Sequence, residues 1–161
     1  MLPLIKTIDH KLLAGKRKIV SHSNNKTEEL WSEFIFNYKN VLNINANKDL
    51  YSISLYPDNF FISYNPNTNF EKWAAFEVLS NKDIPPQFDS LEIQPGLYAE
   101  FIYYGHHSLS FKFFESIFKE WFPKSIYTVD NRPHFEIMGK KYDNNSSNSE
   151  ETIFIPIKLK Q

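Results

Sequence analysis

The 161-residue sequence contains no cysteine and little glycine. The absence of cysteine excludes disulfide bonds, thiolate zinc sites and cysteine nucleophiles, and it fits a reducing compartment. None of the four glycines brackets a serine, and none belongs to a glycine-rich phosphate loop. The sequence therefore offers neither a nucleophile elbow nor a phosphate cradle.

Long apolar runs and long basic runs are also missing. No stretch approaches the ~20 apolar residues of a membrane span, and residues 1–10 lack the features of a signal peptide, so we expect a cytoplasmic protein without membrane contact. The net charge is −1. The densest basic cluster comprises Lys11, Lys16, Arg17 and Lys18. Strand alternation splits it between two faces, which favours a solvated edge strand over direct nucleic-acid binding.

Aromatic residues are abundant, with 15 Phe, 9 Tyr and 3 Trp making up 17% of the chain. A chain of this length normally forms one domain with a sizeable core. Aromatic side chains dominate both cores and small-molecule sites. The composition alone does not decide whether the aromatic residues form the core or line a small-molecule site.

Two segments have the apolar spacing of amphipathic helices. The first begins after Asn25, which can cap it together with Glu28, and carries its stripe at Leu30, Trp31, Phe34, Ile35, Tyr38, Val41 and Leu42. The second runs from about Ser110 to Trp121. Ser108 or Ser110 can cap this second helix, and Pro123 is expected to end it.

Segments of strand character surround these helices. They are Lys11–Ser21, Tyr51–Tyr56, Trp73–Leu79, Leu97–Tyr104, His134–Met138 and Ile153–Leu159. The order strand, helix, strand, strand occurs over about residues 3–79 and again over about 91–160, with a polar, proline-bearing connector at 80–90. We therefore predict an α+β fold made of duplicated βαββ units, in which antiparallel sheets each carry one long helix and a central cleft separates the halves.

Two polar loops interrupt this pattern. Pro57–Asn69 is rich in Asn, although Phe60, Phe61 and Tyr64 suggest that it folds back onto the protein. Lys140–Glu151 is predicted to be a long hairpin connection.

Glu77 is the first candidate for a functional carboxylate. It lies in an apolar strand, on the same face as Trp73 and Ala75, where an unpaired carboxylate is costly to bury. It could attract an amine or act as a general base; an exposed edge position or a pair with a nearby lysine is the structural alternative. Glu136 is a second candidate, with a salt bridge to Arg132 as its alternative.

Aromatic side chains that could form the walls of a cleft are Trp73, Tyr98, Phe101, Trp121 and Phe154. Such rings bind flat or cationic molecules, but core packing is equally open to them, above all to Trp121 on its helix stripe. The five histidines show no metal-ligand spacing; a surface or capping role is favoured for His106 and His107. We expect no metal and no cofactor, and we identify no catalytic residue.

Several ordered motifs are similar to one known family. They are residues 26–31 (KTEELW), 50–52 (LYS), 70–78 (FEKWAAFEV), 95–99 (PGLYA), 121–123 (WFP), 132–136 (RPHFE) and 153–158 (IFIPIK). Together they resemble the GyrI-like small-molecule-binding family, also called the AraC-type effector-binding domain. The resemblance covers nearly the whole chain, so residues 1–161 are expected to form a single such domain.

The resemblance implies two repeats about a pseudo-two-fold axis with a ligand cleft between them. Family members often carry a cleft glutamate just before the Ile-aromatic-Ile-Pro-Ile-Lys strand; this chain has Thr152 there, after Glu150 and Glu151. Thr152 completes the predicted set of ligand-binding residues.

We favour a stand-alone member that binds a hydrophobic or cationic drug-like molecule. The alternatives from the family are a hydrolase of cyclopropane-bearing compounds, working through carboxylate and tyrosine, and a modulator of DNA gyrase. A protein partner such as a transcription regulator or gyrase, and a monomeric or dimeric state, both remain open at this point.

Overall fold

The computed structural model describes all residues, 1–161. Its strands are β1 (Leu4–Ile8), β2 (Lys11–Val20), β3 (Leu50–Leu55), β4 (Phe70–Glu77), β5 (Asp89–Ile93), β6 (Gly96–Tyr104), β7 (Tyr127–Val129), β8 (His134–Met138) and β9 (Glu150–Leu159). Its helices are α1 (Thr27–Tyr38), α2 (Ser110–Ser116) and α3 (Phe122–Lys124). The six predicted strands and both helical regions are present, whereas β1, β5 and β7 were not predicted.

One antiparallel sheet contains the strands in the order β1-β6-β9-β8-β3-β4-β2-β5, with β7 added beside β9. The order is symmetric about the β8–β3 pair: β3 corresponds to β8, β4 to β9, β2 to β6 and β5 to β1. Each outer strand pairs with the opposite half, since β1 joins β6 and β5 joins β2. This arrangement is compatible with a duplicated unit. The boundaries of the two repeats stay a prediction.

Strand β2, which carries the basic cluster, was expected to be an edge strand, and this expectation was wrong. It lies between β4 and β5 inside the sheet and is not an edge strand. A side chain at Gly15 would place its Cβ 2.3 Å from the Ala74 carbonyl oxygen, so β2 and β4 approach closely at a position that requires glycine. The lysines of β2 instead meet acidic residues, as in the contacts of Lys18 with Glu29 and Glu33.

Helix α1 packs on one face of the sheet through its predicted apolar stripe. Leu30, Phe34 and Tyr38 are buried against Ala74 and Phe76 of β4. The Asn25 carboxamide oxygen accepts a hydrogen bond from the Thr27 amide, 3.0 Å, so Asn25 does satisfy a free N–H at the helix start. The residue directly before the helix has no side-chain cap.

The second helical region is less regular than predicted. Helix α2 leads into a π-helical turn at Ile117–Trp121, and α3 adds one turn that contains Pro123. Pro123 is tolerated there because the first turn of a helix needs no N–H from that residue. The side chain of His106, rather than a serine, accepts from the Ser108 amide at the start, which agrees with the capping role favoured for that histidine.

The two faces of the sheet are covered differently. On one face α1 packs at the β2–β4 end and the α2–α3 region at the β6–β9 end. On the other face no helix packs, and the curvature of the sheet itself buries a cluster that draws on seven strands: Leu13, Tyr51, Ile53, Trp73, Ala75, Ile93, Tyr98, Phe135 and Phe154. The helix-bearing face is therefore left uncovered above its central strands, β3 and β8.

No helix in the structure is both long enough and apolar enough to cross a bilayer.

Candidate functional site

A cavity of about 490 Å³ lies on the helix-bearing face, above β3 and β8 and between α1 and α2. Its position follows from the alternation of strand side chains. Ser52 pairs across the sheet with Ala74 and Glu136, and Ser54 pairs with Lys72 and His134. Directly paired residues share a face, so these small and polar side chains point toward the gap between the helices.

The floor of this cavity is polar. It consists of Ser52 and Ser54 from β3, Lys72 from β4, and His134 and Glu136 from β8. The Lys72 ammonium group donates a hydrogen bond to the Ser54 hydroxyl, with Nζ and Oγ 3.0 Å apart. Small hydroxyl residues in the middle of a sheet leave room that larger side chains would fill.

The walls of the cavity are aromatic, as in many small-molecule sites. One wall comes from His22, Tyr56, Phe60, Phe61, Tyr64 and Phe70, and the other from Phe111, Phe114 and Phe118 of the α2 region. The loop after β3 thus folds back as predicted, because Phe60 is buried in a cluster with Val20 and Phe70.

Phe61 closes one side of the cavity by stacking between two other rings. Its centroid lies 4.7 Å from that of Phe118 at an interplanar angle of 9°, and 5.2 Å from that of His134 at 28°. Beyond this stack is a second cavity of about 700 Å³, bordered by the same loop and by residues 127–132. The ring of Phe61 therefore separates two spaces that share a wall.

Two carboxyl groups meet beneath the cavity. Glu136 lies opposite Ile153 of β9, so Glu151, two residues before Ile153, is its diagonal neighbour on the same face. Their carboxyl groups lie close enough to share a hydrogen bond when one of the two is protonated. Burial raises the pKa of both carboxyls, and burial together with the charge of Glu136 raises the pKa of Glu151 to about 8. Lys72 counteracts part of this shift.

His134 on the floor, and Tyr56 and His22 in the wall, are neutral near pH 7. Burial, followed by the charges of Lys72 and Arg132, lowers the pKa of His134 to about 3. Burial raises the pKa of the Tyr56 hydroxyl to about 12. Burial and Lys72 also lower the pKa of His22. The charge of the cavity floor is consequently set by Lys72 and the carboxyl pair.

Glu77 lies on the face of the sheet opposite the cavity; it shares this face with Trp73 and Ala75, as strand alternation predicted, but not the place in the ligand cleft that we expected. Its Oε2 accepts hydrogen bonds from the Tyr51 hydroxyl, 2.9 Å, and from the Asn47 amide, 2.8 Å, and lies 3.5 Å from the Lys11 ammonium group. Burial and the charge of Glu77 raise the pKa of Tyr51. This carboxylate is thus paired with a lysine, the structural alternative considered above, and it does not border the cavity.

Of the other predicted residues, Glu136 borders the cavity. Phe154 also borders it, but its ring stacks on Phe135 in the cluster of the opposite face, with ring centroids 4.6 Å apart. Trp73 and Tyr98 lie in the closed cluster of the opposite face, and Phe101 and Trp121 pack on each other beneath α2 with ring centroids 5.4 Å apart. The Tyr98 hydroxyl finds its partner in the Pro133 carbonyl oxygen, 2.9 Å away.

Thr152 and Arg132 also lie away from the cavity. Thr152 pairs with Ile102 and Ile137, one residue out of phase with Glu151 and hence on the other face. Arg132 does not pair with Glu136. Its Nε donates to Asp130 at 2.7 Å, and its guanidinium group lies 4.7 Å from the centre of the Tyr98 ring.

Sequence reasoning did not single out Glu151, Lys72 or the two serines. The alternation in residues 51–56 had placed both serines on one face, and the same rule relates Glu151 to Ile153, so the signal existed locally. The pairing of β8 with β9 was needed to bring Glu151 beside Glu136, and no local pattern contains that pairing.

Comparison with known proteins finds one family whose sequence model spans nearly the whole chain. The sequence model of the GyrI-like small molecule binding domain matches residues 1–158. No curated protein sequence matches the chain.

Several solved structures share the fold. SAV2435 bound to tetraphenylphosphonium has a TM-score of 0.78 at 14% identity, over 98% of this chain and 94% of that one. The C-terminal domain of EcmrR has a TM-score of 0.62 at 16% identity, over 98% and 97%. A hydrolase from Listeria innocua has a TM-score of 0.60 at 7% identity, over 98% and 92%.

Proposed function

Because the chain belongs to the GyrI-like small-molecule-binding domain family, we propose that it binds a hydrophobic organic cation in the cavity above β3 and β8. The observation that carries this proposal is a carboxyl group, Glu136, at the floor of a cavity with aromatic walls on two sides. Aromatic faces attract cations, by about 0.5–2 kcal/mol for each ring. A carboxylate below them supplies the charge that fixes orientation and selects cations.

The cavity also has a size suited to such a ligand. Its volume of about 490 Å³ falls within the range of about 300–1,000 Å³ in which proteins hold drug-sized molecules. The aromatic walls would bury the apolar surface of the ligand. The polar groups of the floor would recognise its charge. SAV2435, which shares the fold, was solved with tetraphenylphosphonium. This lipophilic cation is therefore a rational first probe.

The direct test is titration of the protein with tetraphenylphosphonium, followed by calorimetry and by thermal unfolding. A ligand at about 100 times its Kd should stabilise the folded state by about 2.7 kcal/mol. Glu136→Gln should weaken binding by at least about tenfold, since it removes the ionisable group that faces the ligand.

The matched control is Glu77→Gln, which changes a carboxylate of the same sheet on the opposite face. It should leave the affinity within about twofold. Absence of binding at millimolar concentration, or equal losses in the two variants, would contradict the proposal.

A hydrolase is the second candidate function. The Glu136–Glu151 pair favours it, because one protonated and one ionised carboxyl side by side can act as acid and base. A structural relative from Listeria innocua is described as a hydrolase. Incubation with ester and cyclopropane substrates tests this candidate; turnover that is unchanged in Glu136→Gln and Glu151→Gln would remove the pair from any mechanism. Modulation of a gyrase stays a prediction from the family resemblance.

A further inference from the structure

Glu136 and Glu151 are diagonal neighbours on one face of β8 and β9, and Glu151 is buried, so a hydrogen bond between their carboxyl groups requires a proton. Two ionised carboxylates have acceptor oxygens and no donor, so a bond between them exists when one of the two is protonated. Both carboxyls have a pKa raised by burial, and that of Glu151 reaches about 8. A pair of closely spaced carboxyls that shares one proton carries one negative charge.

Lys72 supplies the charge that balances this pair. It lies on β4, its ammonium group bonds to Ser54 on the cavity floor, and it lowers the pKa of Glu136. Two carboxyls, one shared proton and one ammonium group sum to zero.

The surrounding groups do not alter that sum. Tyr142, on the β8–β9 connection, has a pKa raised by burial and by the carboxyl pair, and is neutral. His134, Tyr56 and His22 are neutral, as described above. At the rim, the Lys119 ammonium group lies 2.6 Å from the Glu115 carboxylate, so these two exposed charges cancel.

A neutral floor cannot by itself hold a cation well, because the ligand would add an uncompensated charge to a partly dry cavity. If the carboxyl pair loses its shared proton, the additional negative charge compensates the positive charge of the ligand. With both glutamates ionised, two negative charges face Lys72 and the ligand, and the sum is again zero.

Building on the proposed function, we infer that the Glu136–Glu151 pair is a proton-exchange site: a monovalent organic cation binds as the shared proton leaves for the solvent. No bond other than that to the proton is broken, and the proton is accepted by buffer. The ligand class is narrowed accordingly to permanently charged cations. A neutral molecule of the same shape leaves the proton in place.

Proton exchange predicts a specific pH dependence. When binding releases one proton, affinity rises about tenfold for each pH unit as long as the pair is protonated in the free protein. The rise ends near pH 8, where the free pair loses its proton unaided. We expect tetraphenylphosphonium to bind about tenfold more tightly at pH 7 than at pH 6, and to gain little between pH 8.5 and 9.

The test is calorimetric titration of the intact protein with tetraphenylphosphonium at pH 7, in phosphate and in Tris. These buffers differ in their heat of protonation, so the difference in apparent enthalpy gives the number of protons released. We expect a value near one. Triphenylphosphine oxide, a neutral relative of the probe, should release none.

Two variants test whether the proton that is released on binding comes from the Glu136–Glu151 pair. Glu151→Gln removes the shared proton, so release should fall to near zero and the affinity should become independent of pH between 6 and 8. Lys72→Met leaves a net charge of −1 on the floor, so it should bind the cation about tenfold or more tightly at pH 7. Thermal unfolding verifies that each variant is folded, and Glu136→Gln replaces Glu151→Gln if the latter is not.

The outcomes separate the two proposals. If tetraphenylphosphonium does not bind at all, the proposed function fails. If it binds wild-type protein with no proton release in either buffer, the exchange site is refuted and the binding function stands. If release persists in Glu151→Gln, the proton comes from another group such as Lys72, and the assignment to the pair is overturned.

Discussion

The two faces of strands β3 and β8 differ in what covers them. On one face Tyr51, Ile53 and Phe135 are at most 2% exposed in a closed core. One residue along, Ser52, His134 and Glu136 border an open cavity. The same strands thus contribute one set of side chains to a closed core and the other set to the cavity that we propose as the ligand site. The difference arises because the curved sheet closes over one face, whereas the helices cover only the two ends of the other.

The two carboxylates show what this difference means for chemistry. Glu77 and Glu136 both sit in strands with apolar neighbours. Glu77 meets a hydroxyl, an amide and an ammonium group, which satisfy an ionised carboxylate. Glu136 meets another carboxyl group and a cavity. Of the two carboxyl groups, only Glu136 borders the cavity, so it is the one that we expect a ligand to reach.

The largest expected effect is a difference in the free energy of unfolding between substitutions at two neighbouring residues of β3. Ile53→Ala removes a fully buried side chain from the closed face and should lower the free energy of unfolding by about 2–5 kcal/mol. Ser52→Ala, on the cavity side, should change it by less than about 1 kcal/mol. Urea denaturation of both variants measures this. Equal losses would show that the cavity face is as tightly packed as the core.

A smaller effect concerns pH and the carboxyl pair. Because the pKa of Glu151 is higher in the folded state, its contribution to stability is complete below pH about 4.5 and is lost as the pH rises toward 8. Between pH 6.5 and 8 the free energy of unfolding should fall by about 1–2 kcal/mol, and Glu151→Gln should remove this decline.

His134 acts in the opposite direction at the lower end of this pH window. Its pKa is lowered from 6.5 to about 3 in the folded state, so its contribution to stability is complete only well above pH 6.5 and is lost as the pH falls. The difference between wild type and Glu151→Gln at pH 6.5, 7.25 and 8 therefore isolates the carboxyl pair. A slope that is identical in wild type and Glu151→Gln would mean that the pair does not titrate in this range.

Removal of the ring between the two cavities should have a modest effect on stability. Phe61→Ala eliminates stacking on Phe118 and His134 and should cost about 1 kcal/mol. It also joins the two spaces, so the variant should bind a bulkier cation, such as a benzyl-extended phosphonium, better than wild type does relative to tetraphenylphosphonium. An unchanged preference in paired titrations would show that Phe61 does not limit ligand size.

The smallest effect is expected at the rim of the cavity. Glu115 is exposed and already paired with Lys119, and such surface pairs contribute about 0–1 kcal/mol. Glu115→Gln should change the affinity for tetraphenylphosphonium by less than about threefold. If Glu115→Gln lost as much affinity as Glu136→Gln, the charge of the ligand would be recognised at the rim of the cavity and not at its floor.

Much of the fold could be predicted because it rests on local patterns. Apolar spacing located α1 and α2, and alternation located β3, β4, β6, β8 and β9. The short outer strands β1 and β5 were missed since their side chains are largely exposed and show no clear alternation. Each depends on pairing with the other half of the chain. The π turn after α2 has no signature in the apolar spacing.

The candidate site was only partly predictable. Glu136 was recognised as a candidate, and the loop at 57–69 was expected to fold back. Tyr98 and Trp73 could not be assigned from the sequence, because an aromatic residue in a strand looks the same whether it faces a core or a cavity. Glu77 was correctly placed on the face of Trp73, but which face would stay open was not readable from the strand.

The sequence by itself determined the two helical regions, six of the nine strands, the exclusion of thiol chemistry and the family, since these depend on residue identity and on spacing within single segments. Tertiary structure alone decided which face of the central strands stays open, that Glu151 lies beside Glu136, and that Lys72 shares the cavity floor with Glu136. The physical reason is that side-chain charge states depend on neighbours from other strands, and these are brought together by sheet pairing across the full length of the chain.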